Sequence, residues 1–135
     1  MKTIEELIIS YISKGMTAFQ AENYACQEII LNKISKSTMA NNVLIKGGVV
    51  MFNITHDLRR TTTDLDFDFI RYDISTDSIR MFVELLNRHD NQYKININKI
   101  DELHQEDYSG KRVWTTISDK TRRIRFKGTI TSYGE

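Results

Sequence analysis

The sequence has no proline and only one cysteine, and each shortage excludes a kind of organisation. Because proline, internal repeats and low-complexity runs are all missing, no segment resembles an interdomain linker. A lone cysteine, Cys26, excludes an intramolecular disulfide and a cysteine cluster for metal, and we expect it to be a buried thiol on a helix. Residues 1–135 are therefore expected to form a single domain, which can bury about two-thirds of the surface of the unfolded chain.

An excess of charge of one sign is also lacking, as are long apolar runs. The 19 basic and 18 acidic residues give a formal charge of +1, so no overall field would recruit nucleic acid or a membrane surface. No stretch approaches the ~20 apolar residues that cross a bilayer. An acidic amphipathic segment follows Met1, where a signal peptide would have an apolar core. We therefore expect a cytoplasmic protein with no membrane partner.

Two amphipathic helices are predicted at the start of the chain. The first should end near Lys14-Gly15, and its apolar residues at helical spacing are Ile4, Leu7, Ile8, Tyr11 and Ile12. Thr17 and Gln20 have the spacing of a capping box and should begin the second helix, which runs to about residues 33–37. Its predicted apolar face contains Phe19, Cys26, Ile30 and Ile34. Asn41-Asn42 interrupts the helical pattern.

Strands and one further helix are predicted after this point. Residues 43–45 (Val-Leu-Ile) form a short apolar strand of the kind that lies buried in a sheet, and Gly47-Gly48 then turns the chain into a brief helix over 49–53. An acidic strand follows at 65–70, and a helix capped by Thr76 or Asp77 contains Ile79, Phe82, Val83 and Leu86. Three strands, 93–100, 112–118 and 122–131, complete an α+β fold with a mixed sheet packed against helices.

The acidic strand is the main candidate for chemistry. Asp64 and Asp66 alternate with Leu65, Phe67 and Phe69, so both carboxylates should point away from the packed face. Two acids on one face repel each other, which favours a bound cation such as Mg²⁺ over a solvated strand face. Asp68 shares this parity, although its position near the strand end makes solvent exposure equally plausible.

The glycine pair before this strand complements the acids. A tight glycine turn ahead of a helix lets backbone N–H groups approach phosphate oxygens, so Gly47-Gly48 suits a triphosphate, and Lys46 either binds phosphate or is simply exposed. Phosphoryl and nucleotidyl transfer depend on positioning and charge neutralisation, which metal ions provide. The two motifs together indicate this reaction class.

The segments 44–48 (Leu-Ile-Lys-Gly-Gly) and 60–66 (Arg-x-Thr-x-Asp-Leu-Asp) resemble those of the AbiEii/AbiGii-type nucleotidyltransferases. These are proteins of bacterial toxin–antitoxin and abortive-infection systems, within the DNA polymerase beta superfamily. The resemblance covers residue 43 to the C-terminus, with two leading helices in their usual place. It implies a nucleotidyltransferase-like mixed sheet and a nucleoside monophosphate transferred from a nucleoside triphosphate to tRNA, another RNA or a protein. It also implies a toxin with a cognate antitoxin.

The same resemblance assigns roles to individual residues. Asp64 and Asp66 are implied as catalytic ligands of Mg²⁺, and Gly47 and Gly48 as the turn that contacts phosphate. Arg60 and Thr62 are implied to orient the acidic strand or to touch phosphate, and Lys46 completes the nucleotide-binding set.

Two departures from the family pattern open an alternative. Thr129 stands where a third carboxylate is expected, so Asp119 or Glu135 would have to supply that acid from elsewhere. The helical region that usually follows in the family is not part of this sequence, so we expect a minimal or truncated form of the family's domain. The alternative function is a nucleotide-binding or partner-binding module that keeps the fold without turnover.

A basic cluster near the end of the chain allows two interpretations. It contains Lys120, Arg122, Arg123, Arg125 and Lys127. Strand alternation would place Arg123, Arg125 and Lys127 on one side, where they could contact an RNA backbone. The favoured interpretation is a charged edge strand that discourages sheet-to-sheet aggregation.

Overall fold

The computed structural model describes residues 2–46, 65–88, 90–104 and 109–132, and for residues 44–46, 104 and 109 it describes the backbone alone. This part of the chain contains three α-helices and five β-strands. The helices are α1 (Ile4–Ser13), α2 (Ala18–Ser35) and α3 (Thr76–Asn87). The strands are β1 (Val43–Lys46), β2 (Leu65–Phe69), β3 (Lys94–His104), β4 (Ser109–Ser118) and β5 (Arg123–Ser132). The predicted α+β architecture is confirmed.

Side-chain caps define where the helices begin. At Thr17 the predicted capping box is confirmed, since its hydroxyl accepts from the Gln20 N–H at 3.2 Å and the Gln20 amide oxygen accepts from the Thr17 N–H at 3.0 Å. A second capping box, between Thr3 and Glu6, begins α1. Helix α3 is capped by Ser75, one residue before the predicted Thr76. Gly15 has φ 103°, which a residue with a Cβ adopts only with strain, and this conformation separates α1 from α2.

The predicted apolar faces of α1 and α2 are correct apart from one residue in each. Cys26, Ile30 and Ile34 of α2 are buried, as are Ile4, Leu7 and Ile8 of α1. Ile12 is 44 % exposed and Phe19 is 61 % exposed, so their predicted core positions were wrong. Both lie near a helix end. The apolar periodicity of the sequence extends to that end, whereas the part of the protein against which the helix packs does not.

The five strands form one mixed sheet in the order β1-β2-β5-β4-β3. Only β2 and β5 pair in parallel among the described strands, and the other neighbours are antiparallel. Among the described strands this order places β1 at an edge, whereas the apolar sequence of residues 43–45 predicted a strand inside the sheet. It places β5 in the interior, so the edge-strand interpretation of the basic cluster was wrong.

One face of the sheet carries the core. An apolar cavity of about 40 Å³ lies where α2, α3 and this face meet, and its lining includes Ile30, Phe67, Phe82, Val113, Phe126 and Ile130. The opposite face has polar residues at alternating positions of β2, β4 and β5, and we call it the polar face. Its members include Asp66, Arg112, Trp114, Arg125, Lys127 and Thr129. Any chemistry on these strands therefore belongs to the polar face, because the other is occupied by helices.

Candidate functional site

A row of polar residues crosses all five strands of the polar face. The sheet register aligns Lys46 with Asp66, Asp66 with Thr129, Thr129 with Arg112, and Arg112 with Asp101. Residues that are aligned in this way have Cα atoms about 4.5–5.5 Å apart, and the side chains of Asp66, Thr129, Arg112 and Asp101 share the polar face. We call these five residues the polar row. It brings cations and carboxylates from distant parts of the sequence into one line.

Asp66 is positioned by the apolar residues on either side of it. Leu65 and Phe67 are 0 % and 6 % exposed on the packed face, so alternation turns the carboxylate of Asp66 onto the polar face, where it is exposed. This agrees with the predicted orientation of the acidic strand. The matching prediction for Asp64 lies outside the described residues.

Asp68 differs from the exposed acid that the sequence also allowed. Its side chain is buried, at 5 % exposed, and its carboxylate accepts a hydrogen bond from the hydroxyl of Thr131 on β5. That hydroxyl contacts β2 a second time, through the carbonyl of Phe67 at 3.4 Å. A buried carboxylate that is bonded in this way fixes the two parallel strands together, and so holds Asp66 beside Thr129.

Thr129 occupies the position next to Asp66 on β5. It thus stands in the place where the sequence comparison expected a third acid, and a hydroxyl replaces the carboxylate there. In the described parts of the chain, no group of three histidine, cysteine or acidic side chains is arranged to hold a metal ion. The oxygen donors of Asp66 and Thr129 still match the preference of Mg²⁺, which is commonly held by one or two carboxylates together with substrate phosphates.

Of the two alternative sources of a third acid, the described residues include Asp119 alone. Asp119 lies in the β4–β5 turn and accepts hydrogen bonds from the backbone of Ile4 at 2.8 Å and Arg122 at 3.0 Å. The six residue steps along β5 from Arg123 to Thr129 span about 20 Å, so Asp119 is at the far end of the sheet from Asp66. The suggestion that Asp119 reaches this site was therefore wrong, and Glu135 is outside the described residues.

Arg112 contributes a positive charge that sequence reasoning did not select. It aligns with Thr129 on one side and Asp101 on the other. Its Nε atom is buried and has no hydrogen-bond partner among the described residues. A buried donor without a partner is costly. The guanidinium brings a positive charge into the row, separated from Asp66 by Thr129. The signal that could have found it is the short connection between the predicted strands 112–118 and 122–131, since pairing them as a hairpin aligns Arg112 with Thr129.

Trp114 is held on the polar face by charged neighbours. Its indole Nε1 donates to Asp101 Oδ2 at 2.9 Å, and the Lys99 Nζ lies 3.3 Å from the same carboxylate oxygen. This hydrogen bond, followed by those to Lys99, lowers the pKa of Asp101 despite the opposing effect of desolvation. The ammonium groups of Lys99 and Lys127 lie 5.3 Å and 5.4 Å from the ring centroid, within the range of cation–π contacts.

The predicted basic cluster divides into two parts. Arg122 forms ion pairs with Glu5 at 2.9 Å and with Glu22, so its guanidinium joins the β4–β5 turn to α1 and α2. Arg123 and Arg125 are exposed on the polar face, while Ile124 and Phe126 are buried opposite them. The predicted alternation of this segment is confirmed, although Arg122 belongs to the structural part.

Several predicted site residues lie outside the described residues. These are Gly47, Gly48, Arg60, Thr62 and Asp64, together with the brief helix over 49–53. For Lys46 the backbone alone is described, and it aligns with Asp66. Among the helices that the structure describes, none is long and apolar enough to cross a membrane.

Solved structures with a similar fold come from Helicobacter pylori. One is described as an inferred nucleotidyltransferase, with a TM-score of 0.52 and 16 % identity over 88 % of this chain and 48 % of the other. The second is JHP933, with a TM-score of 0.53 and 15 % identity over 90 % of this chain and 47 % of the other. The present chain therefore spans about half the length of these proteins. At such identities the similarity shows the fold.

Sequence comparison gives the family. No curated protein matches this chain significantly. The family model described as "Nucleotidyl transferase AbiEii toxin, Type IV TA system" matches residues 29–132, which is more than half of the chain and includes both the glycine pair and the polar row. The chain therefore belongs to the AbiEii nucleotidyl transferase toxin family.

Proposed function

We propose that this chain provides the catalytic sheet of a metal-dependent nucleotidyltransferase that acts as the toxin of a toxin–antitoxin system. The substrate is a nucleoside triphosphate, and the acceptor is an RNA such as tRNA, or a protein. A cognate antitoxin would be its partner. The observation that carries this proposal is the alignment of Asp66 with Lys46, Thr129 and Arg112 on a chain of the AbiEii family.

The strand connections support placing the two sequence motifs together. β1 ends at Lys46, directly before Gly47, and β2 begins at Leu65, directly after Asp64. Because β1 and β2 pair in antiparallel register, with Lys46 beside Asp66, these two strand ends are neighbours in the sheet. The glycine pair and the acid pair are therefore attached to adjacent positions, as a shared triphosphate site requires.

The residues of this site can be given distinct roles. We assign Asp64 and Asp66 to Mg²⁺, Gly47 and Gly48 with Lys46 to the triphosphate, and Arg60 and Thr62 to support of the acidic strand. Mg²⁺, when bound, supplies neutralising charge to the phosphates. Arg112 adds a fixed positive charge on the opposite side of Thr129.

The proposed reaction exchanges one phosphorus–oxygen bond for another. The oxygen of an acceptor hydroxyl bonds to the α-phosphorus as the bond from that phosphorus to the bridging oxygen breaks. Pyrophosphate leaves with the electron pair of the broken bond, and the hydroxyl proton passes to water. The protein contributes position and charge, which is what a site of carboxylates, arginine and backbone amides can supply.

Transfer of label tests this function. The chain is incubated with each labelled nucleoside triphosphate, Mg²⁺ and total tRNA, beside Asp64→Ala/Asp66→Ala and the control Glu84→Ala. Glu84 is an exposed acid on α3, which lies against the other face of the sheet. We expect label transfer by the parent and the control and none by the double variant. Equal transfer by all three would exclude these aspartates as its source.

A second candidate function is nucleotide or partner binding without turnover. It is favoured by Thr129, which provides a hydroxyl where a third acid would complete a two-metal site. Calorimetric titration distinguishes this case from the first. Mg²⁺-dependent nucleotide binding that requires Asp66, without any label transfer, would support a binding module.

A further inference from the structure

The polar face has an open groove that the proposed catalytic residues do not account for. The groove has a volume of about 670 Å³ and lies over β3, β4 and β5. Its lining includes Asn98, Lys99, Trp114, Thr116, Arg123 and Arg125. Asn98 occupies an irregularity of the β3–β4 pairing and donates from Nδ2 to the Thr116 hydroxyl at 2.8 Å. The groove therefore combines polar and charged groups with the aromatic ring of Trp114.

Cations dominate this groove although the whole chain is almost neutral. Arg123, Arg125 and Lys127 occupy alternate positions of β5, so their Cα atoms follow one another at about 7 Å. That spacing is comparable with the distance between successive phosphates of an extended single strand. Among the described residues, no carboxylate forms an ion pair with Arg123 or Arg125. The guanidinium groups of Arg123 and Arg125 are thus available to a polyanion.

Protection of a sheet edge does not explain the positive charges of β5, because β5 is not an edge strand. Charges that prevent aggregation are needed where backbone groups are unpaired, at the border of a sheet. β5 has β2 on one side and β4 on the other, so its backbone is already paired. The concentration of positive charge on an interior strand therefore needs another reason, and ligand recognition supplies one.

Trp114 keeps further cations within the same groove. Its ring lies below the ammonium groups of Lys99 and Lys127, and its Nε1 is fixed by Asp101. These contacts hold two long, flexible side chains beside the β5 arginines. The groove thus offers charge from both β3 and β5, while the aromatic side chain between them is of the type that accompanies charge in single-strand binding sites.

We propose that this groove binds single-stranded RNA, with its phosphates along Arg123, Arg125 and Lys127. The distance along β5 from Arg123 to Thr129 is about 20 Å, enough for about three nucleotides. Thr129 is paired with Asp66, so this line of charges leads to the proposed catalytic residue. The RNA end would then be the acceptor. Its role as acceptor rests on the proposed nucleotidyl transfer, whereas its binding does not.

Fluorescence anisotropy with a labelled 12-nucleotide oligouridine tests the binding. We compare the parent with Arg123→Ala/Arg125→Ala and with the matched control Arg80→Ala/Arg88→Ala, which removes two exposed arginines at α3. We expect the groove variant to lose at least about tenfold in affinity, and the slope of log affinity against log salt to fall by about 1.4. The control should change affinity less than about twofold, since its charges are on helix α3 and outside the groove.

Three outcomes would overturn the proposal. The first is an equal loss in both double variants, which would indicate diffuse attraction, and the second is no loss in the groove variant. The third is tighter binding of duplex than of single-stranded RNA. Thermal melting of each variant establishes that the fold is retained. RNA binding by the parent that depends on Arg123 and Arg125, without any label transfer by the parent, would count against the proposed transfer reaction alone.

Discussion

The buried ion pair between Lys33 and Asp90 gives the sharpest prediction about stability. The Lys33 side chain is 1 % exposed, and its Nζ donates to Asp90 Oδ2 at 3.1 Å and to the Leu86 carbonyl at 3.3 Å. Asp90 is 22 % exposed and also accepts from the backbone of Gln92 and Tyr93 through Oδ1. The pair joins α2 to the end of α3 and the start of β3, so it fixes the helices against the sheet.

The two partners should differ in the cost of their removal. Asp90→Asn keeps the acceptor for Gln92 and Tyr93 but turns an amide donor toward a buried ammonium, which leaves that charge without its counterion. We expect a loss of about 3 kcal/mol, at the low end for a broken buried pair because Asp90 is partly solvated. Lys33→Met removes the buried charge itself and should cost about 1 kcal/mol, since Asp90 keeps its backbone donors and contact with water.

Urea denaturation followed by circular dichroism measures these free energies of unfolding, with both single variants and the double variant in one cycle. The double variant should be more stable than Asp90→Asn alone, because it no longer buries an unpaired cation. A double variant less stable than Asp90→Asn, or a larger loss in Lys33→Met than in Asp90→Asn, would refute this reasoning.

Three other perturbations test separate parts of the structure. Cys26 is fully buried and desolvation raises its pKa to about 12, so Ellman's reagent at pH 8 should label it only after unfolding; rapid labelling of native chain would contradict its burial. Burial raises the pKa of Asp119, but donation from the Ile4 backbone and from Thr121 outweighs it and leaves the pKa below its ordinary value. The ionised Asp119 should therefore stabilise the fold fully above about pH 4, and this stabilisation should be lost as the pH falls through the lowered pKa of the folded state. Asp119→Asn should cost about 1 kcal/mol of unfolding free energy at neutral pH and should weaken the dependence of stability on pH. Thr129→Asp places an acid beside Asp66; a gain in label transfer would identify the missing third carboxylate as limiting, and unchanged transfer would show that the parent site is sufficient.

Local sequence patterns predicted the helices and strands well, because the interactions that begin a helix or orient a strand involve residues close in the sequence. The capping box at Thr17 and the alternation around Phe67 depend on neighbours within a few residues, and both are confirmed. Ile12 and Phe19 were misplaced because periodicity does not reveal where the packing partner ends. The cap at Ser75 was missed by one residue, since Ser75 and Thr76 have similar capping chemistry.

Strand order was harder to predict, because it depends on contacts between distant segments. Alternation correctly put Arg123 and Arg125 on one side, but it could not show that β5 lies between β2 and β4. For the same reason Arg112 was not selected, and Asp68 was not expected to be buried against Thr131. Family resemblance singled out Thr129, and the register then showed its neighbour to be Asp66.

Paramagnetic relaxation by Mn²⁺ tests most directly whether a metal-bound nucleotide lies at Asp66. In the ¹H–¹⁵N spectrum, Mn²⁺ added with a non-hydrolysable nucleoside triphosphate analogue should first broaden the amides of Asp66 and Thr129, while that of Glu84 on α3 is unaffected. In Asp66→Asn the same broadening should appear only at a much higher Mn²⁺ concentration. Broadening that begins elsewhere, for instance around Asp101, or that is unchanged in the variant, would contradict the proposed site.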